Sequence, residues 1–306
     1  MARRTTRLEP MEVLATRPNR RVTGLPELDR CAVMGVVNVT PDSFSDGGRY
    51  FEPAAAIEHG LELLAAGVDY LDIGGESTRP GAVRVPAEEE LRRILPVIEA
   101  LAREGAVISV DTMRAEVARR AVEAGAALVN DVSGGQADPQ MIPFVASARI
   151  PYILMHWRGH SVDMNSRAVY TDVVAEVRRE LSEHVERAVD GGIAPDRIIL
   201  DPGLGFAKNA AHDWALVGHL DALHSLGRPL LIGPSRKRFL GRLLAGPDGE
   251  PRPAPDRDVA TIAVAALVAA HGAWGVRVHA AAEAIDAVRV AAAVGDPRYA
   301  NRAGDR

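Results

Sequence analysis

The chain has 306 residues, 47% of them hydrophobic and 25% charged, which is the composition of an ordinary globular protein. Its length favours either two modest domains or one large α/β barrel. The net charge of −5 gives no reason to expect nucleic acid or an anionic membrane as a partner, and the single Cys31 excludes an internal disulfide.

The N-terminal region predicts neither a membrane anchor nor a secretion signal. No apolar run is long enough to span a bilayer, and Arg3, Arg4 and Arg7 precede no apolar signal segment. We therefore expect a cytoplasmic protein. Residues 1–30 are basic and aperiodic, and we interpret them as an N-terminal extension with one short strand at residues 11–14 that closes the barrel floor.

Residues 34–48 read MGVVNVTPDSFSDGG and change abruptly from apolar to polar. The apolar half is typical of a buried strand that ends at Asn38 or Val39. The polar half begins with the turn-forming residues Thr40 and Pro41. A strand that ends on an amide side chain and continues as a polar loop is typical of an α/β active-site rim.

The same pattern recurs along the rest of the chain, with apolar runs followed by segments of helical periodicity. Further strands are predicted at residues 70–73, 107–110, 127–129, 152–155, 198–200, 230–232 and 275–279. Helices are predicted from Pro53 to Gly67, from Pro86 to Gly105, through Val117 to Gly125, at 141–146, from Val173 to Gly191, from Trp214 to Leu223, at 259–270, and then to about Val294.

Eight strand-then-helix units predict a single (β/α)8 TIM barrel, residues 31–296, followed by a C-terminal tail at 297–306. A doubly wound open sheet is the alternative architecture. It is disfavoured because no glycine-rich dinucleotide turn follows the first strand.

Polar residues follow nearly every predicted strand. They are Asn38, residues 76–79, Asp111, Asn130, His156, Asp201, Ser235, Lys237, Arg277 and His279. In a parallel barrel the carboxyl ends of all strands share one face, so these side chains should converge. An Asp or Asn placed directly against an apolar run also needs a ligand or partner to offset its desolvation.

One part of this set has the chemistry of a heterocycle site. Asp111, Asn130 and Asp201 offer acceptors, whereas Asn130 and Lys237 offer donors. Such a set suits a flat polar ring that carries both kinds of group, such as a pterin or a purine.

The other part has the chemistry of a phosphate site. Ser235, Arg277 and His279 follow the last two strands, where such barrels commonly hold a phosphate, and Arg matches its geometry. Asn38 could offer an oxygen to Mg²⁺ held mainly by substrate phosphates. Residues and physical chemistry together predict a polar heterocycle joined to an anionic group.

Only two of the 36 basic residues are lysines, Lys208 and Lys237. Both are therefore candidates for a role that needs a compact ammonium group. Lys237 follows a strand end, whereas Lys208, at a predicted helix start, is equally compatible with a structural role.

These motifs together resemble the dihydropteroate synthase family. The matching segments are NVTPDSFSDGG from Asn38, GGESTRPG from Gly74, SVDT from Ser109, NDVSGG from Asn130, DPGLGF from Asp201, SRK from Ser235 and RVH from Arg277. They span nearly the whole chain after residue 33, in family order. The MHWRGH stretch at residues 155–160 is similar to actinobacterial members.

The resemblance implies a Mg²⁺-dependent transferase that condenses 6-hydroxymethyl-7,8-dihydropterin pyrophosphate with 4-aminobenzoate in folate biosynthesis. It also implies a homodimer that forms through the late helices, and a site at which sulfonamides compete with aminobenzoate.

The resemblance further assigns roles to individual residues. The pterin residues are Asp111, Asn130, Val132, Met155, Asp201 and Lys237. The pyrophosphate residues are Asn38, Arg277 and His279, with Asn38 also on Mg²⁺. The aminobenzoate pocket and its loops are Thr40, Pro41, Phe44, Asp46, Ser77, Thr78, Arg79, Pro80, Phe206 and Ser235. The catalytic residues are Asp111, Lys237, Arg277 and His279.

Three other functions remain as alternatives. A metal-dependent hydrolase could use Asp111, His156, Asp201 and His279, although the first strand lacks the usual His-x-His pair. A pterin-binding methyltransferase module is disfavoured by the STRPG loop together with the SRK lysine. A catalytically inactive pterin-binding paralogue is disfavoured only by the intact motifs.

Overall fold

The computed structural model describes residues 21–40, 53–77, 84–160 and 164–303. The strands are β1 Ala32–Asn38, β2 Tyr70–Gly74, β3 Ile108–Asp111, β4 Leu128–Asp131, β5 Tyr152–Met155, β6 Ile198–Asp201, β7 Leu231–Ile232 and β8 Gly275–Val278. The helices are α1 Pro53–Ala66, α2 Ala87–Arg103, α3 Ala115–Glu123, α4 Met141–Ala148, α5 Val173–Asp190, α6 Ala210–Gly218, α7 Leu220–His224, α8 Arg238–Leu243, α9 Asp258–Ala270, α10 Ala281–Gly295 and α11 Pro297–Ala303.

The strands form one parallel sheet in the order β6-β5-β4-β3-β2-β1-β8-β7. A single bridge between Leu200 of β6 and Leu230, just before β7, closes the ring. The Leu200 N–H also donates to Pro229 O at 2.8 Å. The predicted single (β/α)8 barrel is therefore confirmed.

Each strand directs alternate side chains to opposite faces, as the pleat requires. Outward residues such as Leu71, Ile73 and Val129 belong to the large core between sheet and helices. Inward residues such as Met34 and Ile153 belong to a smaller core inside the barrel. Each fully buried side chain of this size stabilises the fold by about 1.5–3 kcal/mol.

The described part of the predicted N-terminal extension covers the lower end of the barrel. Val22 is buried in the inner core, with Leu25 and Leu28 packed against it. Thr23 Oγ1 donates to Asp196 Oδ2 at 2.6 Å. The short strand predicted at residues 11–14 lies outside the described residues.

The structure differs from the prediction in its later helices. The predicted helix 214–223 is two helices, α6 and α7, because the chain leaves helical geometry at His219, where φ is −130° and ψ is 47°. Gly218, a poor helix former, precedes this break. The short α8 has no counterpart among the predicted helices, and α11 occupies most of the predicted C-terminal tail, with Tyr299 buried.

No helix in the described ranges is both long enough and apolar enough to cross a membrane.

Candidate active site

The inward-facing side chains become polar towards the carboxyl ends of the strands. Asp111, Asn130 and Asp201 are buried at these ends of β3, β4 and β6. Asp111 and Asn130 are register partners on neighbouring strands. Arg277 reaches the same region from β8, because its side chain bonds to Asp111. The structure thus brings these four predicted residues to one end of the barrel interior.

Asp72, which is missing from the predicted set, lies at the centre of this group. It sits in the middle of β2 and is completely buried. Asp72 Oδ2 accepts a hydrogen bond from Asn130 Nδ2 at 3.0 Å and another from Arg277 Nε at 2.5 Å. Arg277 Nη2 donates to Asp111 Oδ2 at 3.0 Å. The signal for Asp72 was available in the sequence, because it alternates with outward apolar residues and must face inward.

The buried carboxylates have unusual proton affinity. Burial and the neighbouring Asp72 carboxylate raise the pKa of Asp111 to about 7, and the Arg277 guanidinium opposes this rise. Burial also raises the pKa of Asp201, although Gly203 donates its N–H to Asp201 Oδ1 at 2.7 Å. A ligand with N–H donors or positive charge would offset the desolvation of both carboxylates.

Lys237 enters the site from the segment before α8. Its Nζ donates to Leu204 O at 2.5 Å and lies 4.4 Å from the centre of the Phe206 ring. Burial lowers the pKa of Lys237 to about 8, and the nearby Asp201 and Asp213 carboxylates oppose this shift. The ammonium therefore lies near Asp201, as the convergence of strand ends predicts.

A small apolar cluster lies at the same end of the barrel, and we call it the apolar slot. It consists of buried Met113, Val132 and Met155, with half-buried Ala137, Trp157 and Phe206 packed against them. Three of the six, Val132, Met155 and Phe206, are predicted site residues. Met113 and Trp157 follow strands β3 and β5 by two residues, where strand alternation no longer fixes the side-chain direction.

Ser235 and His279 contact each other directly. Ser235 Oγ accepts the backbone N–H of His279 at 3.1 Å and lies 2.8 Å from His279 Nδ1. We assign the hydroxyl proton to a bond with Nδ1, which leaves the ring proton on Nε2 and makes that atom a donor. Ser235 thus lies beside a predicted pyrophosphate residue, although the resemblance implies a role towards aminobenzoate.

The remaining predicted residues follow β1 and β2. Asn38 ends β1, is half-buried and pairs in register with Gly74. Thr40 is buried, and Ser77 is half-buried. The other predicted loop residues lie outside the described residues: Pro41, Phe44, Asp46, Thr78, Arg79 and Pro80.

A cluster of ion pairs joins the two described ends of the β2–α2 loop. Arg114 Nη1 donates to Glu76 at 2.8 Å and also contacts Glu90, while Arg114 Nη2 donates to Val85 O at 2.5 Å. Glu76 also accepts from Arg84 Nε at 3.0 Å. Sequence spacing gives no sign of this cluster, because its members come from separate loops and helices.

Comparison with known proteins identifies the family. A family model described as pterin binding enzyme matches residues 34–279. The dihydropteroate synthase of Mycobacterium leprae is 54% identical over 262 residues, which cover 85% of this chain and 92% of that protein.

Two solved structures show the same likeness in three dimensions. Dihydropteroate synthase from Xanthomonas albilineans with 4-aminobenzoic acid has a TM-score of 0.80 at 47% identity, covering 88% of this chain and 94% of that chain. The complex of dihydropteroate synthase from the same organism with 7,8-dihydropteroate has a TM-score of 0.79 at 43% identity, covering 90% of this chain and 99% of that chain.

These matches confirm the resemblance that the seven motifs predict, including its actinobacterial character, since the Mycobacterium leprae protein is among the relatives. The matched region begins within β1 and ends one residue beyond β8. The chain belongs to the pterin-binding enzyme family and, within it, to the dihydropteroate synthases.

Proposed function

We propose that the chain condenses 6-hydroxymethyl-7,8-dihydropterin pyrophosphate with 4-aminobenzoate, giving 7,8-dihydropteroate and pyrophosphate in folate biosynthesis. The observation that carries this proposal is the meeting of two buried carboxylates, Asp111 and Asp201, with Asn130 and Lys237 in a member of this family. The proposal includes a cytoplasmic location and small-molecule substrates, with no nucleic-acid or membrane partner, in keeping with the net charge of −5.

The polar group suits the edge of a pterin, which presents N–H donors beside ring-nitrogen and carbonyl acceptors. We assign the two carboxylates to the donors of the ring, because charge-assisted hydrogen bonds are the strongest available. Asn130 and Lys237 would complete the edge. Val132 and Met155 would contact the faces of the ring, because both belong to the apolar slot.

The diphosphate would bind near Arg277, His279 and Asn38. The Nε2–H of His279 and the half-buried guanidinium of Arg277 are donors for its oxygens. The guanidinium is already held by Asp72 and Asp111, so it would reach the ligand with little loss of side-chain entropy.

The residues near the diphosphate are compatible with a magnesium ion that binds together with the substrate. Mg²⁺ prefers oxygen ligands and usually binds through few protein groups together with substrate phosphates. Asn38 offers one amide oxygen, and no group of three or more His, Cys, Asp or Glu side chains in the described ranges could hold a metal. When bound, Mg²⁺ would neutralise part of the charge that develops on the departing diphosphate.

The chemistry requires charge stabilisation and positioning more than a strong base. As the C–O bond breaks, the methylene carbon gains cationic character, which the Asp111 carboxylate would stabilise through the ring. Arg277 and His279 would stabilise the departing diphosphate. The amine of aminobenzoate then forms the C–N bond and loses one proton to the departing diphosphate or to solvent. The slot must exclude water, which would otherwise capture the same carbon.

A coupled assay of pyrophosphate release tests this function. We expect release to require dihydropterin pyrophosphate, aminobenzoate and Mg²⁺ together, with dihydropteroate formed in equal amount. An inactive paralogue would bind the pterin without aminobenzoate-dependent release. A methyltransferase module would release no pyrophosphate under any of these conditions, so either result contradicts the proposal.

Ser235→Ala separates two roles for that hydroxyl. If Ser235 chiefly fixes the proton of His279, we expect kcat to fall about fivefold with the KM for aminobenzoate nearly unchanged, since one hydrogen bond contributes roughly 1 kcal/mol. Steady-state kinetics at saturating Mg²⁺ provide the measurement. A raised KM for aminobenzoate at constant kcat would instead support direct contact with that substrate.

We propose a homodimer that forms through α9 and α10. These helices pack against each other and carry apolar side chains that are 57–84% exposed: Val259, Leu267, Val290 and Val294. Exposed apolar groups of this kind on neighbouring elements are typical of a protein–protein interface.

Val290→Asp tests the proposed dimer. We expect this change to produce monomers at micromolar concentration in light scattering after gel filtration, because it buries a charge in the interface. Val169→Asp is the matched control, since Val169 is 75% exposed on the β5–α5 loop. A dimer that survives Val290→Asp would contradict the assignment.

A further inference from the structure

Lys208 is a buried lysine that the roles given above leave unused. It lies just before α6 and is only 8% exposed. Its Nζ donates to Phe206 O at 3.0 Å and lies 2.9 Å from His156 Nδ1. An ammonium group has donors only, so His156 Nδ1 must accept this bond.

His156 continues this connection towards α5. It is completely buried, and its Nε2 lies 2.9 Å from Glu180 Oε2. Because Nδ1 accepts, the ring proton is on Nε2 and is donated to Glu180. Burial and the positive Lys208 lower the pKa of His156 to about 3, which keeps the ring neutral with this single proton. Glu180 is fixed in turn by Arg158, whose Nε donates to it at 2.9 Å.

Side-chain hydrogen bonds fix three consecutive residues of the loop between β6 and α6. Lys237 donates to Leu204 O, and Asp213 Oδ1 accepts the Gly205 N–H at 2.8 Å. Lys208 completes the series at Phe206. The next residue, Ala207, has a φ of +49°, a strained conformation for a residue with a β-carbon. Three side chains thus fix the backbone immediately around the Phe206 ring.

We propose that Lys208 is a positioning residue for the reaction: its ammonium holds Phe206 against the apolar slot and ties this loop, through His156, to α5. The inference rests on the proposed role of Phe206 beside aminobenzoate. It also explains why one of the only two lysines in the chain stands here, since a planar guanidinium is larger and distributes its donors differently.

The surroundings of Lys208 support this role. Burial lowers the pKa of Lys208 to about 7; the Asp213 and Asp201 carboxylates oppose this shift, and the nearby Lys237 and Arg158 add to it. A buried ammonium with this little solvation depends on its two hydrogen-bond partners, so it constrains both of them.

Lys208→Met tests the proposal, and the measurements are the KM values and the ratio of pyrophosphate released to dihydropteroate formed. We expect the KM for aminobenzoate to rise about tenfold, with the KM for dihydropterin pyrophosphate within about twofold of the original, because only the Phe206 side of the site loosens. Water should then capture part of the activated methylene, forming 6-hydroxymethyl-7,8-dihydropterin. The ratio of pyrophosphate released to dihydropteroate formed should therefore rise above one.

Companion variants keep the test decisive. Lys208→Arg should still release more pyrophosphate than dihydropteroate, whereas Glu183→Gln, an exposed change on the same helix α5, should leave the KM for aminobenzoate unchanged. If Lys208→Met does not fold in circular dichroism, Lys208→Gln replaces it, since this polar side chain is too short to reach both partners and should show the same uncoupling. A ratio of one in the folded variants would overturn the proposal. Absence of aminobenzoate-dependent release in the unmodified protein would instead overturn the proposed function.

Discussion

Replacing Asp201 with Ala should abolish measurable binding of 6-hydroxymethyl-7,8-dihydropterin in calorimetry. Asp201 is a buried carboxylate at the end of β6, close to Lys237. Without it, the N–H donors of the pterin would lose a charged acceptor, and the Lys237 ammonium would keep only the more weakly interacting Asp213 and Asp111 carboxylates. Truncating one member of a buried charged pair typically costs about 2–5 kcal/mol, which corresponds to a loss of at least about thirtyfold in affinity.

Two further variants make this result specific. Asp201→Asn retains an Oδ1 that can accept the Gly203 N–H, so it should keep the loop intact and still lose most of the affinity. Asp221→Ala is the matched control, since it makes the same change at an exposed position on α7. Unchanged pterin affinity in either Asp201 variant would remove this residue from the pterin site.

The barrel could be predicted from the sequence because its strands are short apolar runs punctuated by glycine and polar residues. Strand β5 was predicted within its observed bounds, Tyr152–Met155. The closure of the barrel could not be predicted from the sequence in this way. Strand β7 has only two residues, Leu231–Ile232, and the ring closes beside Pro229, which lacks an N–H for pairing. The closing contact between β6 and the segment before β7 depends on the whole assembly.

The convergence of several candidate residues could be predicted, but their hydrogen-bond partners could not. Asp111, Asn130 and Arg277 end up together as expected. The sequence assigned Arg277 to the anionic group alone, whereas its side chain also bonds Asp72 and Asp111. Such contacts join residues more than a hundred positions apart, and only the barrel geometry determines them. Asp72 could have been found by counting alternate positions along β2, because a charge inside a buried strand needs a partner.

We expect kcat/KM for dihydropterin pyrophosphate to decrease strongly at acid pH. This parameter reports ionisations of the free protein. The pKa of Asp111 is raised to about 7 by burial and by the Asp72 carboxylate. Below that pH, Asp111 takes up a proton and loses the charge that would stabilise the pterin cation. We therefore expect kcat/KM to fall about tenfold for each pH unit below 7.

Asp72→Asn should change this profile in two ways. Removing the negative neighbour lowers the pKa of Asp111, so the acid limb of the profile, where kcat/KM falls, moves to lower pH. Closer pairing of Arg277 with Asp111 would also lower this pKa and so shift the limb in the same direction. The plateau should fall by roughly 100-fold, because Arg277 and Asn130 lose the charged group that orients both of them.

Ionisation of the substrate's diphosphate cancels in this comparison, because both proteins meet the same substrate at each pH. Glu183→Gln, an exposed change on α5, should leave both the plateau and the limb unaltered. An acid limb that stays in place in Asp72→Asn would mean that Asp111 does not control it. A limb that moves to higher pH would contradict the repulsion between the two buried carboxylates, and with it the arrangement on which the pterin site depends.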